Sequence, residues 1–99
     1  EEILLVCAGT GEGVALEDVL AAGALTDLLA DELSDSAEIA RQTFLRSKSD
    51  LSATIASSKN GRRLLAIPEL RDDVAFCAQR DVFPLVAAMS PDGALRKAA

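Results

Sequence analysis

The chain has 99 residues, no histidine and a formal net charge of −6 at pH 7, and it is 49% hydrophobic but only 3% aromatic. Such a length makes one domain, residues 1–99, with a modest core. The acidic balance excludes a general nucleic-acid or anionic-membrane partner, and without histidine neither phosphohistidine chemistry nor a Ser-His-Asp triad is available.

In chain order, residues 3–7 read Ile-Leu-Leu-Val-Cys, an uninterrupted apolar run that suits a strand covered on both faces. A turn follows over residues 8–15, with Gly9, Gly11 and Gly13 at alternate positions. Glycine lets the chain reverse sharply and brings bare backbone N–H groups close to a ligand. A helix over residues 16–32 comes next, so the chain presents a strand, a glycine turn and a helix N-terminus, the makings of an anion site. Glu17 and Asp18 stand in its first turn. Carboxylates there complement the helix dipole; alternatively they hold a magnesium ion that in turn holds a phosphate. Ala15, just before the helix, is a poor N-cap. Between Val19 and Ala30 the helix is apolar nearly all round apart from Thr26 and Asp27, so it wants partners on more than one side. Gly23 sits mid-helix, at a cost of about 1 kcal/mol relative to Ala, which close backbone packing would offset.

A second helix over residues 35–46 buries Ala37, Ala40 and Phe44, with Asp35 and Glu38 at capping-box spacing. A third covers residues 51–57. Ser58 either caps a short helix over residues 59–66, or Asn60-Gly61 ends the preceding one. A helix over residues 69–79 buries Leu70, Val74 and Cys77. Residues 82–89 read as a strand, with Pro84 placing it at an edge or bulge. Residues 90–93, Ser-Pro-Asp-Gly, make a turn, and residues 94–97 return as a short strand. The whole predicts an α/β fold, a three-layer α/β/α arrangement with a sheet of few strands covered by helices. No internal repeat or low-complexity linker is present.

Several chemistries fail on spacing. A dinucleotide turn needs a third glycine where Val14 stands, and no lysine follows the glycines as a phosphate-binding P-loop requires. Neither Cys7 nor Cys77 has an arginine six residues on, as a cysteine phosphatase would, and no Asp-x-Asp tripeptide occurs. What remains is metal-assisted attack by water or by a nucleophile the sequence does not identify, stabilised by cations and backbone N–H groups. Gly9, Thr10 and Gly11 are candidate phosphate or sulfonate contacts, and Arg62 with Arg63 can clamp an anion bidentately; a tight turn and two exposed helical arginines are the plainer alternatives. Residues 1–40 carry ten acids and no Lys or Arg, whereas residues 41–99 carry six acids and ten bases. Either two solvated faces or an acidic metal end opposite a basic substrate end fits that division. The two cysteines, in apolar sequence surroundings, read as buried reduced thiols of a cytoplasmic protein.

The motif Cys7-Ala8-Gly9-Thr10, followed by Leu16-Glu17-Asp18-Val19-Leu20-x-Ala22-Gly23-Ala24-Leu25, resembles the C-terminal half of 2-phosphosulfolactate phosphatases. The resemblance continues through Ser58-x-x-Gly61-Arg62-x-Leu64 and Asp73-Val74-x-Phe76-Cys77-Ala78-Gln79-x-Asp81. It implies a magnesium-dependent hydrolase of a small phosphorylated sulfonate, 2-phospho-3-sulfolactate, in coenzyme M biosynthesis. Asp18 and Glu17 would be metal ligands, and Gly9, Thr10, Gly11 and Arg62 would bind substrate. Members of that family are longer and carry further motifs in an N-terminal half. The chain therefore reads as part of a two-half fold that needs a missing half, a homo-oligomeric partner, or both. The rival expectation is a non-catalytic α/β binding or oligomerisation module.

Overall fold

The computed structural model describes residues 2–29 and 31–98. Among these residues five α-helices and one β-ribbon follow one another: α1 (Leu16–Leu29), α2 (Asp35–Ser47), α3 (Leu51–Ser57), α4 (Lys59–Leu65), α5 (Arg71–Cys77), β1 (Ala87–Met89) and β2 (Leu95–Lys97). Single turns of 3₁₀-helix at Lys48–Asp50 and Pro68–Leu70 lead into α3 and α5. The result is a small mixed α/β domain.

α1 and α2 form an antiparallel helical hairpin around Gly23. A Cβ there would run into the Ala40 carbonyl oxygen and come within 2.7 Å of the Phe44 Cβ, so glycine permits close helix contact, as the mid-helix position anticipates. Leu20, Ala40 and Phe44 are buried at this contact. Thr26 is buried too, and its hydroxyl donates to the Gly23 carbonyl at 2.9 Å, which satisfies the polar group locally. Arg41 braces the pair by donating to Asp27 at 3.2 Å; with both partners about a third exposed, that brace contributes less than about 1 kcal/mol. The Arg80 guanidinium lies 5.1 Å from the Phe44 ring centre, a cation–π contact that closes the far side of the core.

Caps differ in one place from expectation. Ser34, not Asp35, is the N-cap of α2: its hydroxyl accepts from Ala37 N–H at 3.2 Å, so Asp35 falls inside the helix. Asp50 caps α3 through Ala53 N–H at 3.0 Å. Ser58 resolves the alternative left open between α3 and α4. It donates to the Ile55 carbonyl at 2.6 Å and accepts from Gly61 N–H at 3.0 Å, closing one helix and opening the next. Gly61 has no room for a Cβ against the Ile55 carbonyl, so α4 packs directly on the end of α3.

The apolar run at residues 3–7 corrects the sequence expectation. It forms no strand, and Leu4 and Val6 are 82% and 81% exposed. The physical reason is that a strand buried on both faces needs neighbours to bond, and no described residue supplies them. Likewise, the expected strand over 82–89 contracts to β1. Leu85 N–H bonds the Phe83 carbonyl at 2.8 Å, a γ-turn centred on Pro84, whose missing N–H and fixed φ break the ladder. β1 pairs antiparallel with β2 in the register Ala87–Lys97, Ala88–Arg96, Met89–Leu95. The intervening turn contains Gly93 at φ +83° and an Asp92–Arg96 pair with two bonds of 2.9 and 3.0 Å. The ribbon is exposed on both faces, and a sheet layered between helices is not among the described elements. Cys7 and Cys77 are exposed free thiols rather than buried ones, because the segments expected to cover them are absent from their surroundings. The helix expected over 69–79 is shorter, and of its three expected core residues only Val74 is buried.

Candidate functional site

The glycine turn is a two-residue reversal. Thr10 and Gly13 exchange both backbone bonds at 3.0 Å, and Gly11, at φ +58°, takes the first central position. Positive φ at that position, with Glu12 after it outside the positive-φ region, is the signature of a type II′ turn, which glycine adopts without strain. Gly9 is required on two counts: its φ is +72°, and a Cβ would lie 2.5 Å from the Gly13 carbonyl oxygen. Its N–H donates to the Asp18 carboxylate at 2.7 Å, so the first turn of α1 grips the base of the reversal. Cys7 adds a weaker contact, its thiol donating to the Asp18 carbonyl at 3.5 Å.

These bonds decide which donors are free. The N–H groups of Gly9, Thr10 and Gly13 are committed, whereas those of Gly11 and Glu12 bond no described residue. Of the candidate substrate contacts, Gly11 therefore offers its backbone, Thr10 its exposed hydroxyl, and Gly9 only its shape. Ala15 is buried and accepts the first helical bond from Val19 at 3.3 Å, with no side-chain oxygen to cap α1.

Glu17 is held from the other side of the turn. Asn60, the second residue of α4, donates through Nδ2 to Glu17 Oε1 at 2.6 Å and to Thr10 Oγ1 at 2.7 Å. Glu17 Oε2 is buried and bonds nothing among the described residues. A buried, unpaired carboxylate oxygen is costly unless a cation or donor meets it. Thus both carboxylates singled out in the sequence are anchored to the turn, Asp18 through Gly9 and Glu17 through Asn60 and Thr10. Oxygen donors of this kind suit magnesium, which commonly takes one or two carboxylates and fills its other positions with water and phosphate. No group of three or more His, Cys, Asp or Glu residues forms a metal cage among the described residues, so further ligands would come from those sources.

Arg62 is not brought to the turn. It donates to the Ser57 carbonyl at the end of α3 and is exposed. Helical spacing puts it, two residues beyond Asn60, on the far side of α4, while Arg63, three beyond, shares the Asn60 face. Asp73 is exposed in the first turn of α5, and Asp81 is exposed with φ +57°, a turn conformation. Asn60 is the residue the sequence alone did not single out for function; the one local hint is its place between the Ser58 cap and the closely packed Gly61. A separate groove of about 980 Å³ lies between residues 2–7 and the α1–α2 hairpin, lined by Ile3, Leu5, Val19, Ala22, Leu29 and Ile39 among others. No helix among the described residues is long and apolar enough to cross a membrane.

Comparison with known proteins bears on this arrangement directly. Residues 1–91 match the 2-phosphosulpholactate phosphatase family. A probable 2-phosphosulfolactate phosphatase of Pseudothermotoga lettingae is 33% identical over 99 residues, covering 99% of this chain and 44% of the relative. Its counterpart in Thermotoga maritima is 36% identical over 90 residues, covering 90% of this chain and 39% of the relative. That of Deinococcus radiodurans is 36% identical over 105 residues, covering 97% and 43% respectively. The chain thus spans less than half the length of these curated relatives, and no solved structure matches it. The turn, the paired carboxylates of α1 and the Ser58–Gly61 corner all lie inside the matched region, and the chain belongs to the 2-phosphosulpholactate phosphatase family.

Proposed function

We propose that this chain is the C-terminal part of a magnesium-dependent phosphatase that hydrolyses 2-phospho-3-sulfolactate to 3-sulfolactate and phosphate, a step of the coenzyme M type. The observation that carries the reading is Glu17 Oε2, a buried carboxylate oxygen without a partner, beside a reversal whose tip offers free N–H groups. Family membership and the names of the relatives support the substrate class.

In this reading Glu17 and Asp18 hold magnesium, which when bound neutralises phosphate charge and acidifies water. Gly11 N–H and the Thr10 hydroxyl orient phosphate oxygens, joined by the uncapped N–H groups at the start of α1. Arg63, with Arg62 if its bond to Ser57 is released, meets the sulfonate or carboxylate. Attack by water oxygen on phosphorus breaks the ester P–O bond, and the departing alkoxide of sulfolactate takes up a proton. In the complete protein the segments 3–7 and 82–89 join a sheet covered on both faces, giving the three-layer fold. The free thiols fit the reducing cytoplasm.

Phosphate release from phosphosulfolactate, with and without magnesium, tests the proposal in the full-length protein and in this chain. Magnesium-dependent release that falls at least tenfold in Asp18→Asn supports it; turnover and magnesium dependence unchanged by that substitution would remove Asp18 from the metal site.

One observation favours a second reading, a non-catalytic binding or oligomerisation module. Val14, Leu28, Met89 and Leu95 are exposed along with Ile3, Leu4 and Val6, more apolar surface than a solitary domain usually presents. Size-exclusion separates the cases: a stable homo-oligomer of this chain without phosphatase activity favours the module, and a strict monomer counts against it.

A further inference from the structure

We propose that Asn60 is the positioning residue that couples the carboxylate of Glu17 to the hydroxyl of Thr10, so that the metal side and the anion side of the site are set by one amide. The proposal rests on the phosphatase reading and adds a residue to it.

The argument starts from what an amide can do. Asn60 is the one asparagine of the chain. Its Nδ2 carries two hydrogens, and both are used, one on Glu17 Oε1 at 2.6 Å and one on Thr10 Oγ1 at 2.7 Å. The orientation is forced, because an ionised carboxylate only accepts and an oxygen facing it would be repelled. Each bond has a consequence for its acceptor. Glu17 Oε1 is tied down, which fixes the direction of the buried, unpaired Oε2. Thr10 Oγ1 is used as an acceptor, so its own hydrogen is left to donate outward from the exposed tip of the turn. A hydroxyl that accepts a strong hydrogen bond also donates more strongly, as chains of hydrogen bonds polarise one another.

The residue is well supported for such a role. It lies 43 residues from Glu17 and 50 from Thr10 in sequence, and no other side-chain hydrogen bond among the described residues joins the turn or α1 to α4. Its own position is set by the Ser58 cap before it and by the contact of Gly61 with Ile55 after it. A plain structural tie would need the two bonds but would leave ligand affinities untouched, which separates the two roles by experiment.

Selective ¹⁵N-asparagine labelling of the chain gives a single side-chain amide pair. The expected pair is shifted from the solvent position, moves in both Glu17→Gln and Thr10→Val, and responds to titration with magnesium and with inorganic phosphate. In the full-length protein, Asn60→Ala should raise the magnesium concentration for half-maximal activity and the KM for phosphosulfolactate by about tenfold each, with a smaller change in kcat. An amide pair at the solvent position, or one indifferent to both partner substitutions, overturns the proposal. So does an Asn60→Ala protein that melts earlier yet keeps both titration midpoints. If the pair responds to both ligands while the unaltered full-length protein releases no phosphate, the coupling stands and the phosphatase reading falls. If phosphate is released with magnesium but the pair is silent, the reverse holds.

Discussion

Gly9 and Asp18 are joined by a 2.7 Å bond from a backbone N–H to a carboxylate oxygen, and the bond fastens the base of the glycine reversal to the first turn of α1. Asp18 is therefore already in use by the fold before any ligand arrives. A hydrogen bond to a charged acceptor contributes about 1.5–3 kcal/mol, and partial exposure places this one near the lower end. Asp18→Ala should lower unfolding free energy by about 1–2 kcal/mol in urea denaturation, and Asp18→Asn, which keeps an acceptor oxygen, by about half of that. Magnesium affinity should drop in both, so the two effects can be read apart.

The glycines of the reversal are not equivalent. Gly9→Ala combines a left-handed φ with a collision against the Gly13 carbonyl and should cost about 2–4 kcal/mol. Gly11→Ala has the same kind of φ in open space and should cost about 1–2 kcal/mol. Thermal unfolding of the two variants side by side checks the order; equal losses would mean that the reversal relaxes around the added methyl.

Gly23→Ala reverses an ordinary rule. In a free helix the change stabilises by about 1 kcal/mol, but here the new Cβ meets the Ala40 carbonyl and Phe44. A net loss of about 1–3 kcal/mol is expected. A gain in melting temperature would show that α1 and α2 can separate at little cost.

Acid should loosen the ribbon turn. The Arg96 guanidinium beside Asp92, helped by the Ala94 N–H, holds the Asp92 carboxyl below its usual value, and Arg96 is raised in return. A carboxyl depressed on folding contributes stability that is present above its unfolded pKa, about 3.9, and lost as pH falls through the lower folded value. Hairpin amide shifts of Ala94 and Arg96 should accordingly move only once pH has fallen below the ordinary carboxylate value of about 3.9. Asp92→Asn should abolish that titration while leaving the ribbon register in place.

Legibility followed the range of the interaction that decides each feature. At Ser58 the sequence offers two local solutions between which the structure decides, whereas the helix at Leu51–Ser57 and the turn before β2 are set by neighbours within a few residues, and the sequence spells them out. So is the need for glycine at position 9. The run at residues 3–7 has the composition of a buried strand, but a strand is completed by partners distant in sequence, and no described residue provides one. Cys7 and Cys77 failed to bury for the same reason. Asn60 escaped notice because its two bonds cross 43 and 50 residues, and nothing in a lone Asn-Gly pair distinguishes a cross-link from a helix end.

The corner at Ser58 has one more effect. Because a single hydroxyl both ends α3 and starts α4, the second residue of α4 has no slack of its own: Asn60 rides on a bend that is completed when the chain folds. Its rotational freedom is surrendered at that stage, not when a ligand binds. Ligand affinity at the proposed site is thereby decoupled from ordering of Asn60, and association should be limited by desolvation of the two carboxylates instead.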